Sequence, residues 1–231
     1  MTPDGPGVLI AGCGTGQQAI AAATGYGRNA RLLAVDLSAA SLTYARTKAA
    51  EHGIYNVEFR QADIMELDAL DDRFDIVVCS GVLHHLADPL RGWRILADLL
   101  RPGGAMRIAL YSEAARAPLD ALKKRIPPDE SLPMDERIRD FRRRTLATYK
   151  DNWMSSGIIW SDFFTLGGCR DLLFHAHETR FTVPQIVAAL DQLGLIFLEP
   201  EGLAGWTARE QADPSAFANM YQFWCAKRPD A

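Results

Sequence analysis

Residues 8–23 read VLIAGCGTGQQAIAAA, an apolar run followed by glycines at 12, 14 and 16. Glycines between a strand and a helix let backbone amides and the helix N-terminus come close to a bound molecule. The spacing is G-x-G-x-G, with Gln17 where a dinucleotide-binding turn would place its last glycine. Asp36 stands twenty residues beyond Gly16 at the end of a second apolar run. A carboxylate there can accept hydrogen bonds from both hydroxyls of a ribose; its other use is to cap a helix, given the Ser38 that follows. His84 and His85 come after a fourth apolar run, and imidazoles in that place can take a proton or orient a substrate.

A second cluster comprises Asp162, Arg170, Asp171, His175, His177, Glu178 and Arg180, interleaved with Trp160, Phe163 and Phe164. Apolar walls with a few polar groups suit a small-molecule pocket. Asp171 and His175 also have the i, i+4 spacing of a plain pairing along a helix. The H-x-H-E spacing predicts no metal site, because helical side chains two apart diverge and no matching ligands are evident elsewhere. The run RIRDFRRR, Arg137 to Arg144, reads as the wet face of an amphipathic helix; contact with an anionic substrate, RNA or a partner is the alternative.

These residues need a scaffold, and the sequence outlines one. Strands are expected at Val8–Ala11, Arg31–Asp36, Val57–Gln61, Phe74–Cys79 and Ala105–Leu110, with helices at Gln17–Gly25, Ser38–His52 and Pro89–Leu100. Such alternation predicts a parallel sheet covered by helices on both faces. From Tyr111 the rhythm breaks. Residues 111–180 hold no convincing strand, carry prolines at 118, 127, 128 and 133, and include an amphipathic stretch with Ile138, Phe141, Leu146 and Tyr149 on one side. A helix at Val183–Leu193 and strands at Leu195–Pro200 and Met220–Ala226 follow. The expectation is a single domain, 1–231, with 111–180 as an inserted helical cap.

Composition narrows the setting. A chain of 231 residues, 48% hydrophobic and 23% charged, can bury a sizeable core. Four scattered cysteines favour a reducing, cytoplasmic environment. No run approaches the ~18 apolar residues of a membrane span, and the start MTPDGPG lacks the basic and apolar regions of an export signal. The net charge of −4 offers nothing global to attract polyanions.

Five segments in order, LIAGCGTG, LLAVDLS, QADIMEL, FDIVVCSGVLHHLADP and LLRPGGAMRIALYS, resemble the motifs of class I S-adenosylmethionine-dependent methyltransferases. The resemblance implies an α/β, Rossmann-like sheet of seven strands, ordered 3-2-1-4-5-7-6 with only the last antiparallel. It implies S-adenosyl-L-methionine as cofactor and S-adenosyl-L-homocysteine as product. The cofactor set would be Ala11, Gly12, Gly14, Gly16, Asp36, Leu37, Asp63, Ile64, Ser80 and Gly81. In it Asp63 would accept the adenine amine, Ile64 would pack on the ring, and Ser80 and Gly81 would line the methionine end.

The segment DFFTLGGCRDLLFHAHETRFT is similar to methyltransferase domains found beside tetratricopeptide arrays in bacterial proteins. Many relatives fold helices preceding the first strand over the cofactor, whereas only seven residues precede Val8 here. Either the domain comes from a longer protein, or the cap does the lid's work. No PPY-type sequence and no Pro-Cys follow the fourth strand, which argues against methylation of adenine or glutamine amides and of cytosine C5. The expected reaction is methyl transfer to oxygen or nitrogen of a small molecule or protein side chain. His84 and His85 would take the proton, and Trp160, Phe163, Arg170, His175 and Arg180 would contact the acceptor. Rival readings are an RNA methyltransferase using the basic cap helix, an inactive cofactor-binding module, and a nicotinamide oxidoreductase, the last disfavoured by the glycine spacing. Nucleic acid, membrane and metal are not expected.

Overall fold

The computed structural model describes residues 5–149, 161–175, 177–213, 216–217 and 220–229. Its first half alternates β1 (Gly7–Ala11), α1 (Gln17–Tyr26), β2 (Arg31–Asp36), α2 (Ala39–Glu51), β3 (Val57–Gln61), β4 (Phe74–Ser80), α3 (Pro89–Asp98) and β5 (Leu100–Tyr111). Then come α4 (Glu113–Arg125), α5 (Met134–Thr148), α6 (Leu166–Leu173), α7 (Val183–Gln192), β6 (Leu195–Phe197), α8 (Gly202–Ala212) and β7 (Met220–Lys227). The strands form one sheet of order β3-β2-β1-β4-β5-β7-β6, in which β7 runs antiparallel to both β5 and β6.

Local chemistry sets the helix starts. Ser38 accepts from the Ser41 amide and so takes the cap of α2, which releases Asp36 from that duty. Asp88 caps α3 with Pro89 in its first turn, and Thr182 with Gln185 forms a capping box on α7. The sheet buries Leu9, Val77, Met106 and Phe223 against α3, α7 and α8 on one face, while Val8, Ile10 and Ala34 pack with α1 and α2 on the other.

Helices α4, α5 and α6 share their own core, in which Leu119, Ile138, Phe141, Phe163 and Leu172 are buried. This unit meets the sheet at the carboxyl ends of β4 and β5. There Thr179 N donates to the His84 carbonyl, and Ser112 bridges to Phe181.

Four expectations need correction. β5 begins at Leu100 rather than Ala105, because Leu100 still pairs with Phe74 across an irregular step in register. β6 stops at Phe197 rather than Pro200, and α8 fills a stretch for which no helix was expected. On α5 the buried stripe is Ile138, Phe141 and Thr145, whereas Leu146 is 41% exposed. Positions 138, 141 and 145 follow the helical repeat, and 146 lies one residue off it.

Candidate active site

The glycine turn follows β1, and its three glycines do different work. Gly12, Gly14 and Gly16 all have positive φ, at 75°, 51° and 90°. A Cβ on Gly12 would lie 2.3 Å from Val82 Cγ2, and one on Gly16 would lie 2.7 Å from Ala45 Cβ, so both positions are bare for packing. A Cβ on Gly14 would meet nothing within 4 Å. It would project into the pocket.

That pocket has a volume of 560 Å³. At one end it is walled by Gly12, Gly14 and Asp36, with Leu37 beside them; Asp63, Ile64, Ser80 and Gly81 continue the wall. Asp36 Oδ2 accepts from Gly14 N at 2.7 Å and Oδ1 from Ser38 N at 2.9 Å. The carboxylate therefore ties the turn to the end of β2. Asp63 Oδ1 accepts from Met65 N at 2.9 Å and caps the 3-10 turn Ile64–Ala69. Leu37 is 63% exposed, an apolar side chain at the pocket lip.

Two residues of the expected cofactor set do not reach this wall. Ala11 is buried in the core beneath the turn, and Gly16 lies against Ala45 of α2. The turn needs them for packing, since β1 must end inside the sheet and α1 must approach α2.

The far end of the pocket is formed by His85, Leu86, Tyr111, Asp171 and His175. His84 and His85 sit side by side in the 3-10 turn Leu83–His85, yet their environments differ. His84 has no exposed surface and stacks on Tyr111 with centroids 3.7 Å apart. Its Nδ1 accepts from Tyr111 N at 3.3 Å, so a neutral ring carries its proton on Nε2, which has no partner among the described residues. Burial, with His85 adding to it, pushes its pKa down to about 2. This contradicts the expectation of His84 as a proton acceptor: the ring is locked in the core behind the wall.

His85 is the pocket-side imidazole. Its Nδ1 lies 2.9 Å from the His177 carbonyl oxygen. A carbonyl only accepts, so Nδ1 carries the proton and Nε2 keeps a free lone pair. The ring stacks on His175 with centroids 3.5 Å apart and planes at 15°. Burial holds its pKa below the ordinary histidine range despite the His177 bond, so the lone pair stays available at neutral pH.

The cap cluster is only partly assembled at the pocket. His175 reaches it. Phe163 is 1% exposed inside the core of the helical segment, and Arg170 pairs with Asp135 on the outside. Arg180 is engaged by Asp120 and Glu178. These three expected acceptor contacts are corrected to structural positions; Trp160 lies outside the described residues. Several arginines of α5 are likewise engaged, with Arg143 and Arg144 on Asp140 and Arg142 on the Phe164 carbonyl.

Sequence reasoning missed Arg116, Tyr111 and the pocket role of Asp171. Arg116 is 1% exposed; it grips Glu178 at 2.5 and 2.8 Å, donates to the Leu172 carbonyl and lies 3.7 Å from the Tyr111 ring centroid. Its signal was an arginine on the apolar stripe of α4, between Ala115 and Leu119. Among the described residues, no cluster of three His, Cys, Asp or Glu could hold a metal, and no helix is long and apolar enough to cross a membrane.

Residues 8–104 match the methyltransferase domain family. An uncharacterized protein of Synechococcus sp. is 36% identical over 142 residues, which are 59% of this chain and 32% of that protein. The ubiquinone biosynthesis O-methyltransferase of Acinetobacter baylyi is 35% identical over 101 residues, 43% of this chain and 41% of that enzyme. The chain thus spans less than half the length of these relatives. Among solved structures, PKMT2 from Rickettsia typhi in complex with AdoHcy matches 100% of this chain with 50% of its own, at a TM-score of 0.69 and 15% identity, a likeness of fold alone. From β1 to the start of β5 the chain is therefore similar in sequence to the methyltransferase domain, and its seven strands have the order of the class I methyltransferase sheet.

Proposed function

We propose that the protein is a methyltransferase that uses S-adenosylmethionine, and that it methylates an oxygen or nitrogen of a small molecule or a protein side chain. The observation that carries this reading is one continuous pocket, with the glycine turn and two carboxylates at one end and a proton-accepting imidazole at the other. The residues fit the cofactor. At Gly14 and Gly81 a Cβ would meet no protein atom within 4 Å, so the backbone at both is open to a ligand. Asp36 would take the ribose hydroxyls and Asp63 the adenine amine, with Ile64 against the ring and Ser80 and Gly81 at the methionine end.

When bound, the cofactor supplies a methyl group on a sulfonium, open to in-line displacement. The chain's share is placement, exclusion of water and removal of a proton. His85 Nε2 takes the proton, the His177 carbonyl holds the matching tautomer, and His175 covers the ring. Tyr111, wedged between His84 and Arg116, forms a rigid back wall. We further propose that the protein acts in the cytoplasm, that nucleic acid is not its acceptor, and that its domain is of the kind found beside tetratricopeptide arrays.

Titration calorimetry tests the cofactor. S-adenosylmethionine and S-adenosylhomocysteine should bind and NAD should not, and Asp36→Ala should weaken binding by about 1–3 kcal/mol, the scale of charge-assisted hydrogen bonds. Binding of NAD in preference to S-adenosylmethionine overturns the reading.

A further inference from the structure

The charges around the pocket are one-sided. Among the described residues its wall includes three carboxylates, Asp36, Asp63 and Asp171, and no lysine or arginine. Asp36 and Asp63 sit at the nucleoside end, each tied to backbone amides. Asp171 differs: among the described residues its carboxylate accepts no hydrogen bond and joins no ion pair. Only its backbone carbonyl is used, by the Tyr111 hydroxyl at 3.4 Å. That bond ties α6 to the end of β5, and Asp171 lines the same pocket as His85 and His175.

The nearby arginines are paired outside this wall, and Lys123 lies beside His175 on the side of Glu178 and Arg180 rather than in the wall itself. Arg116 and Arg180 both hold Glu178, and Arg170 holds Asp135. A carboxylate or phosphate on the acceptor would face like charge in this wall, whereas a cation would meet complementary charge.

We propose that the acceptor is an amine, bound as its ammonium form by the Asp171 carboxylate in the pocket that His85 also lines. This rests on the methyltransferase reading above. In the balanced step the ammonium gives one proton to His85 Nε2, and the freed nitrogen lone pair forms the N–CH3 bond. The S–CH3 bond breaks, and its electron pair stays on sulfur as the neutral thioether. The product is a methylammonium, which keeps its positive charge opposite Asp171. Burial already pushes the Asp171 pKa up, a cost that a bound cation offsets.

The test uses benzylamine, benzyl alcohol and phenylacetate as probes, titrated into the full chain saturated with S-adenosylhomocysteine. Benzylamine should bind at least tenfold more tightly than either of the others. Asp171→Asn should erase that preference without changing affinity for S-adenosylmethionine or S-adenosylhomocysteine, and Asp171→Glu should keep part of it. Equal binding of the three, a preference for phenylacetate, or a preference that survives Asp171→Asn overturns the proposal. Weaker binding of S-adenosylmethionine by Asp171→Asn also overturns it, since Asp171 would then serve the sulfonium. Failure of the wild-type protein to bind S-adenosylhomocysteine is a separate result: it rejects the methyltransferase reading, and the amine proposal falls with it.

Discussion

Replacing each glycine of the turn by alanine should give three separable outcomes. At Gly16 the new methyl carbon would lie 2.7 Å from Ala45 Cβ, on a backbone with φ of 90°. Left-handed strain costs about 1–2 kcal/mol, and forcing a methyl into packed core about 1–3 kcal/mol more. Gly16→Ala should therefore lose about 2–5 kcal/mol, a fall in melting temperature of about 4–20 °C for a chain of this size. Adding Ala45→Gly removes the clashing atom and should restore the steric part, leaving only the backbone strain. At Gly14, φ is 51° and the methyl meets no protein atom within 4 Å. Stability should fall by only about 1–2 kcal/mol, while the methyl holds the cofactor away from the backbone and weakens its binding by about tenfold to a hundredfold, the effect of 1–3 kcal/mol of overpacking. Gly12→Ala strikes Val82, itself part of the pocket wall, so both quantities should drop and Val82→Ala should recover stability. Scanning calorimetry and cofactor titration on the same samples separate the cases. The reasoning is refuted if Gly14→Ala binds the cofactor as wild type does, or if Ala45→Gly brings no recovery to Gly16→Ala.

Replacing His85 by glutamine should cut methyl transfer about 10²–10⁴-fold, the usual share of a positioned base, with cofactor affinity little changed; an undiminished single-turnover rate would remove His85 from the chemistry. Because burial lowers its pKa, the acid limb of the rate profile should lie below pH 6.5, and a limb above pH 7 would contradict this. His84, held down to about 2 from 6.5, takes up its proton only on unfolding between those values. Its contribution to stability is thus complete above pH 6.5 and declines as pH falls, by about 1.4 kcal/mol per unit; in urea titrations His84→Asn should flatten that slope. Glu178→Ala removes the carboxylate that pairs with the buried Arg116 guanidinium and should cost on the order of 3–5 kcal/mol, whereas Arg170→Ala breaks a half-exposed pair with Asp135 and should stay within about 1 kcal/mol without affecting transfer. Equal losses in the two variants would mean that the burial assignments mislead.

What the sequence made legible divides along physical lines. The strands were readable because each is a short apolar run between turn residues, and their order in the sheet came from the family resemblance of the five motifs. The placement of Asp36 and Gly14 was readable because it follows from local spacing: a glycine directly after β1 and a carboxylate at the tip of β2 must face the same crevice once those strands lie side by side. Gly16 belongs to the same motif but packs on Ala45, a contact between α1 and α2 that no local pattern specifies. His84 and His85 are adjacent in sequence, and a single turn sends one ring into the core and the other to the pocket. Their separation depends on the Tyr111 amide and the His177 carbonyl, which come from different segments of the chain.

The acceptor side was the least legible part for the same reason. Arg170, Phe163 and Arg180 have the composition of a binding site, but each is claimed by a partner distant in sequence: Asp135, the core around Phe141, and Asp120. Polar residues interleaved with aromatics are equally what a small helical unit needs to close its own core and charge network. Which of them remain to meet a ligand depends on which find partners first. In this chain Arg116 and Arg180 neutralise Glu178, Asp135 holds Arg170, and the titratable groups of this segment that line the pocket are His175 and Asp171, whose carboxylate has no hydrogen bond or ion pair among the described residues. The charge around such a site is thus set as much by the ion pairs near it as by the side chains that line it, and Glu178, which holds both Arg116 and Arg180, is the carboxylate whose loss would leave the most positive charge uncompensated there.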